Sequence, residues 1–179
     1  RRRRGRVTRA GECEALRYDG HSELLKAAPK RLRDALELLE EPTREPDSSD
    51  AAYRHLCGAC YLAGYAVECI LKVYVIRLLD YRRGPGFVRW SDVVEHFATM
   101  PDGPDLSGAR SHSLRRLLAV SGLESELGTD PGMRANWTQC ERWDYAWRYV
   151  SAFQMSPVGA RRFVEACRQT HDWIKHRLP

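Results

Sequence analysis

The sequence predicts an all-α protein, an up-and-down bundle of about four main helices with short accessory helices between them. Apolar residues recur at three- and four-residue steps over long stretches, the spacing that lines one side of a helix. No alternating polar–apolar run of convincing strand length occurs, and Pro-, Gly- and Ser-rich clusters separate the periodic stretches.

From His21 to Glu41 the stripe is Leu24, Leu25, Leu32, Ala35, Leu36 and Leu39. Pro29 is expected to divide this stretch by opening its second piece, because a proline costs little in a first turn. Pro42 to Ser49 reads as a loop, after which Ser48, Ser49 or Asp50 can cap the next helix by accepting from its free N–H groups. That helix, Asp50 to Tyr81, is the strongest element. Leu56, Ala59, Ala63, Ala66, Ile70, Val73 and Arg77 run along one stripe with Leu62, Tyr65 and Cys69 beside it. Apolar residues cover most of its circumference, so it is expected to be central and buried. Gly58 and Gly64 each cost about 1 kcal/mol in a helix relative to Ala, and are expected to serve close helix–helix approach. Further helices are expected at Ser91–Phe97, Ser113–Val120 closed by Gly122, Leu123–Leu127 and Met133–Trp143. A last one opens on Ser156-Pro157 and carries Val158, Phe163, Val164, Cys167, Thr170 and Ile174.

The 179 residues, 43% hydrophobic and 30% charged, suit one globular domain with a core that needs no disulfide staples. The longest apolar candidate, Ala59–Leu79, is interrupted by Glu68, Lys72 and Arg77, so no membrane span is expected. The first residues are arginines with no apolar stretch behind them, so no signal peptide is expected either. Net charge is +5, but Arg1, Arg2, Arg3, Arg4, Arg6 and Arg9 supply +6 within the first nine residues, leaving −1 for the rest. Basicity therefore belongs to a flexible tail, residues 1–20, ahead of a helical domain, residues 21–179. Such a tail can hold nucleic-acid phosphates non-specifically, or it is simply a solvated terminus.

Cys13, Cys57, Cys60, Cys69, Cys140 and Cys167 read as free thiols of a reducing, cytoplasmic setting. Cys57-Gly-Ala-Cys60 has C-x2-C spacing, but the second ligand pair of a zinc site is missing, and i, i+3 cysteines on a helix share a packing face. Neither metal nor cofactor is expected. Glycine-rich phosphate loops, G-x-S-x-G elbows and H-E-x-x-H pairs do not occur.

One pairing is unusual for its place. Glu68 and Lys72 are an i, i+4 pair on a nearly all-apolar cylinder, where charges are costly unless paired. Either they emerge on an exposed strip, or they form a polar seam facing Arg148 or His112. His112, just before a helix, is a structural hydrogen-bonding residue or a general base. Arg148-Tyr149, after the aromatic-rich Trp143–Trp147, can hold a phosphate and stack a base, or lay an arginine over an indole at a core edge.

The segment Tyr61-Leu-Ala-Gly-Tyr-Ala-Val-Glu-Cys-Ile-Leu-Lys72 resembles the signature helix of bacterial HEPN-domain proteins. Arg33–Leu39 resembles the helix before it, and His112-Ser-Leu-Arg-Arg-Leu-Leu118 the family's H-x-L-x-x-L-L segment. Asn136-Trp137, Trp143 with Arg148-Tyr149, and Trp173-Ile-Lys175 follow in the same order, so the resemblance spans residues 31–178. It implies a compact helical bundle, commonly dimeric, of the kind found in toxin–antitoxin pairs beside nucleotidyltransferases, in antiviral defence proteins and among metal-independent ribonucleases. The expected function is an interaction or regulatory module that assembles with itself or a partner protein and binds nucleotide or RNA. The expected ligand residues are Lys72, Arg148 and Tyr149. The alternative is a metal-independent endoribonuclease at a dimer cleft, with Arg148, His112 and Glu68 as catalytic candidates. The family's ribonucleases carry Arg-x4-6-His late in the fold. Here the formal match, Arg89-x6-His96, falls in the middle segment, while Arg168 is spaced too near His171 and too far from His176.

Overall fold

A long helix with apolar residues round most of its circumference has to be wrapped, and the rest of this chain does the wrapping. The computed structural model describes residues 19–40, 49–149 and 155–179. Among the described residues the protein is all-α, with no helix long and apolar enough to cross a membrane. The elements are α1 (His21–Glu40), α2 (Ser49–Arg83), α3 (Trp90–Ala98), a 3-10 turn (Gly108–His112), α4 (Leu114–Ser121), α5 (Glu124–Thr129), α6 (Pro131–Cys140), a second 3-10 turn (Tyr145–Tyr149) and α7 (Pro157–Lys175). The uninterrupted 35-residue α2 is the axis, and α1, α3, α4, α7 and the second 3-10 turn all pack on it. Its residues Ala59, Ala63, Ala66, Val67, Ile70, Leu71, Val73 and Ile76 are inaccessible to solvent.

Pro29 does not divide the first helix, because α1 runs unbroken through it. Leu24 and Ala28 before it and Leu32, Ala35 and Leu39 after it form one buried stripe against α2, and this shared packing outweighs the single backbone hydrogen bond that a proline forfeits. Arg161 of α7 donates to the Leu39 carbonyl at 2.9 Å, satisfying an acceptor that the end of α1 leaves free. Of the loop expected at 42–49, residues 42–48 lie outside the described residues, as does Ser48 as a cap, while Ser49 already belongs to α2; the side chains of Ser49 and Asp50 are not described.

Asp19 and Gly20, read from sequence as part of the tail, are held against the start of α3. The Trp90 amide donates to the Asp19 carbonyl at 2.9 Å, and His21 N donates to the Val88 carbonyl at 2.9 Å. At the N-terminus of α3 the Asp92 carboxylate accepts from the Val88 and Arg89 amides. Ser113 caps α4 and Asp130 caps α6, each accepting from a first-turn amide, and Gly122 closes α4 in the left-handed region at φ 75°. Ser156 with Pro157 opens α7 as the sequence indicates, the Ser156 hydroxyl accepting from Gly159 N. Val158 departs from the expected α7 stripe and is exposed, whereas Phe163, Val164, Cys167, Thr170 and Ile174 are buried.

The largest difference from the sequence reading is at Trp143. The helix expected to reach it ends at Cys140, and Trp143 lies on irregular backbone that crosses to α2. Its indole occupies the space a side chain at Gly64 would need, stacks on Tyr61 at 6.0 Å and donates from Nε1 to the Tyr61 carbonyl at 3.1 Å. Gly64 therefore serves an indole from an irregular segment, not a neighbouring helix. At Gly58 an added Cβ would meet, among the described residues, only Leu38 of α1, at an ordinary 3.6 Å.

Two stability outcomes follow. Gly64→Ala is expected to lose about 1–3 kcal/mol in urea unfolding from overpacking, despite the better helix former. Gly58→Ala is expected to gain about 0.5–1 kcal/mol. A further outcome concerns pH. His171 on α7 is 2% exposed, with Nε2 buried and without a partner among the described residues. Burial lowers its pKa below the usual 6.5, with Asp172 opposing and Lys175 assisting. The folded protein then binds fewer protons than the unfolded chain, so this stability is fully present above pH 6.5 and falls as pH drops toward the depressed folded value. Unfolding free energies measured across that window are expected to slope by up to about 1.4 kcal/mol per pH unit, and His171→Gln to flatten the slope.

Candidate functional site

Glu68 and Lys72 lie on the face of α2 toward the 3-10 turns and α3, and they do not emerge on an exposed strip. Glu68 is 1% exposed and Lys72 7%. Lys72 Nζ donates to Glu68 Oε1 at 2.6 Å, and it stands 5.1 Å from the centre of the Trp90 ring, whose π face supplements the Glu68 counter-ion. Two ions taken out of water need this closeness, since each alone would carry a large desolvation cost.

The same carboxylate oxygen takes a second donor from another part of the fold. His112, the last residue of its 3-10 turn, places Nδ1 2.9 Å from Glu68 Oε1. An ionised carboxylate only accepts, so Nδ1 carries the proton and Nε2 of a neutral ring is left as an acceptor. The His112 side chain is 34% exposed, bringing this buried dyad to the surface. Ser113 positions it: by capping α4 it fixes where the 3-10 turn stops and the helix begins.

Tyr145 covers the imidazole, its ring stacked at 5.2 Å and 27°. Beyond Tyr145 lies Arg148, with its guanidinium 5.6 Å from the Tyr145 ring and 4.7 Å from that of Tyr149. A 3-10 helix has three residues per turn, so positions 145 and 148 eclipse one another. The arginine therefore lies on phenol rings, not on the indole considered from sequence. Tyr149 is 73% exposed, so one aromatic face remains open beside the guanidinium. The arm carrying Tyr145 and Arg148 is anchored at both ends: Trp143 seats on Gly64, and the Trp147 carbonyl accepts from Cys57 Sγ at 3.3 Å.

The site thus brings together Glu68, His112 and, through Tyr145, Arg148. Lys72 faces inward and is committed to Glu68, so its contact with a ligand would be through the carboxylate. Cys69, one residue along α2, is no nucleophile here: burial first and then the Glu68 charge push its thiol up to about 12. The neighbouring Tyr65 is likewise pushed upward, by Cys69 and by burial, and stays a neutral phenol.

The formal Arg-x6-His pair is not assembled. Arg89 bonds Asp92 at 3.0 Å, while His96 packs against Phe87 and Phe97 with Nε2 buried. Arg168 is held by Glu165 and Asp172, and His171 Nδ1 lies 3.0 Å from the Asp172 carboxylate. Cys57 and Cys60 are buried on α2 with raised pKa, Cys60 to about 12 by burial and then by Cys57. Arg1, Arg2, Arg3, Arg4, Arg6, Arg9 and Cys13 lie outside the described residues. Sequence reasoning missed Trp90 and Tyr145. The three-residue spacing from Tyr145 to Arg148 was a usable signal, whereas nothing local marked Trp90 as the partner of Lys72.

Fold and site together define a protein that is all-α over its described residues, with a carboxylate of the central helix hydrogen-bonded to an imidazole from a neighbouring 3-10 turn. Comparison with protein-family models, with curated proteins and with solved structures finds no match to this chain.

Removing one member of the buried pair leaves the other uncompensated. Glu68→Leu is expected to cost about 3–5 kcal/mol in chemical denaturation, and the double variant Glu68→Leu/Lys72→Met distinctly less. Equal losses in the two would show that charge compensation is not what holds the pair.

Proposed function

We propose that this chain is a HEPN-like helical module of a toxin–antitoxin or antiviral defence system. It binds RNA or a nucleotide at the His112–Arg148 surface. It works in the cytoplasm by assembling with itself or with a partner protein, such as a nucleotidyltransferase or a defence component. The observation that carries the binding reading is the layered stack of His112, Tyr145 and Arg148 beside the open ring of Tyr149. A guanidinium next to an exposed aromatic face suits a phosphate followed by a stacked base. The family and its setting rest on the residue resemblance: its segments lie on α1, α2, α4, α6, α7 and the arm between α6 and α7.

A second reading is favoured by one further observation, the Glu68–His112 hydrogen bond. In a metal-independent endoribonuclease, His112 Nε2 would take the proton of an RNA 2′-OH as O2′ attacks phosphorus. The P–O5′ bond would break, and the departing 5′-oxygen would take a proton from water, leaving a 2′,3′-cyclic phosphate and a 5′-hydroxyl. Arg148 would stabilise the developing phosphate charge, and Glu68 would hold the imidazole in its useful tautomer.

Labelled single-stranded RNA in EDTA separates the readings. Arg148→Ala and Tyr149→Ala are each expected to weaken binding by about 5- to 100-fold in fluorescence anisotropy, the range a lost stacking or phosphate contact gives. Unchanged affinity in both variants sinks the binding reading. Cleavage by the native protein that disappears in His112→Ala promotes the nuclease. Deleting residues 1–9 reports on the arginine tail through the salt slope of binding.

A further inference from the structure

We propose that Lys72 is a positioning residue that sets the charge of His112. By neutralising Glu68 it lets the carboxylate act on His112 as an acceptor for a neutral ring, keeping Nε2 free of a proton. The inference deepens the second, endoribonuclease reading above, because a proton-accepting Nε2 is what that reading needs for chemistry, but its physical basis does not depend on RNA.

Both donors converge on one oxygen. Glu68 Oε1 receives Lys72 Nζ at 2.6 Å and His112 Nδ1 at 2.9 Å, while Oε2 is buried without a partner among the described residues. One negative charge therefore faces two groups that can be cationic. A lysine that buried, over an indole and 2.6 Å from a carboxylate, is the better held of the two. With Lys72 charged the cluster is neutral, and a proton added to His112 would be an uncompensated charge. It would meet Arg148 across the Tyr145 ring and Arg110 on its own turn, although Arg110 is itself paired with Asp105. The remaining titratable neighbours of Glu68 on α2, Tyr65 and Cys69, are neutral for the reasons given above. Without Lys72 the balance reverses: a buried carboxylate 2.9 Å from an imidazole draws a proton onto it, because an opposite charge at this range favours the charged form.

The test is nitrogen-15 NMR of the His112 ring in the intact protein at pH 7, in the absence of RNA. The native protein is expected to show a neutral ring protonated at Nδ1. Lys72→Met is expected to raise the imidazolium fraction at least threefold, and Lys72→Arg, which keeps the charge, to restore the native pattern. The double variant Lys72→Met/Glu68→Gln, which removes both charges, is expected to leave the ring neutral. This variant separates charge from damage to packing, and circular dichroism of each variant verifies the helical fold. An unchanged ring in folded Lys72→Met, or a proton appearing on the Glu68 carboxyl instead, overturns the proposal. Because no RNA is present, its failure is distinguishable from failure of the binding reading.

Discussion

The structure depends on one constraint: a carboxylate placed where α2 has no contact with water. Glu68 sits among Val67, Ile70 and Leu71 on a helix wrapped by most of the other described elements, and an unpaired charge there would be costly. Lys72 reaches it from one turn away, and His112 reaches it from a segment far along the chain. Trp90 sits over the lysine from a third place. Parts of the chain with no sequence proximity are thereby held at one point of the long helix. A polar centre inside a bundle demands specific partners in a way that apolar packing does not, since a misplaced donor leaves a buried group unsatisfied.

The arm that follows α6 shows how the bundle turns this centre outward. An indole fills the gap above Gly64 and so pins irregular backbone to α2. The 3-10 turn that comes next stacks its first and fourth residues, and the result is a graded series from buried carboxylate through imidazole and phenol to an exposed guanidinium. The desolvated end supplies fixed orientation, and the solvated end supplies charge where an anionic ligand can approach. A site of this form needs no deep cavity. A groove of about 300 Å³ lined by His21, Arg77, Asp80 and Phe87 lies toward the C-terminal end of α2 and shares no residue with the Glu68–His112–Arg148 site.

Periodicity read from sequence locates the helices of the described residues well, because a buried stripe must repeat at the helical period whatever it packs against. Glycine and serine signals place helix ends at Gly122 and Ser156 for equally local reasons. The reading fails where tertiary packing overrides local preference. Pro29 is carried through α1 by apolar contacts on both sides of it, and Trp143 leaves its helix because α2 offers the indole a better place. Of the site, the Glu68–Lys72 spacing and the candidates His112 and Arg148 were legible, since charges on an apolar cylinder and arginines beside aromatics are conspicuous. The contact between Glu68 and His112 was only one of two alternatives. Tyr145 left a trace in its three-residue spacing from Arg148, and nothing near Trp90 in the chain marked it as the partner of Lys72.

By itself, then, the order of residues determined the helical class, the central rod and the oddity of an ion pair upon it, for these rest on interactions within a few turns of one helix. Which side chains meet that pair was decided only when the segments at 90, 112 and 145 docked on α2. Hydrogen bonds and ring stacks act over a few ångströms and carry no trace along a chain whose partners are separated by dozens of residues.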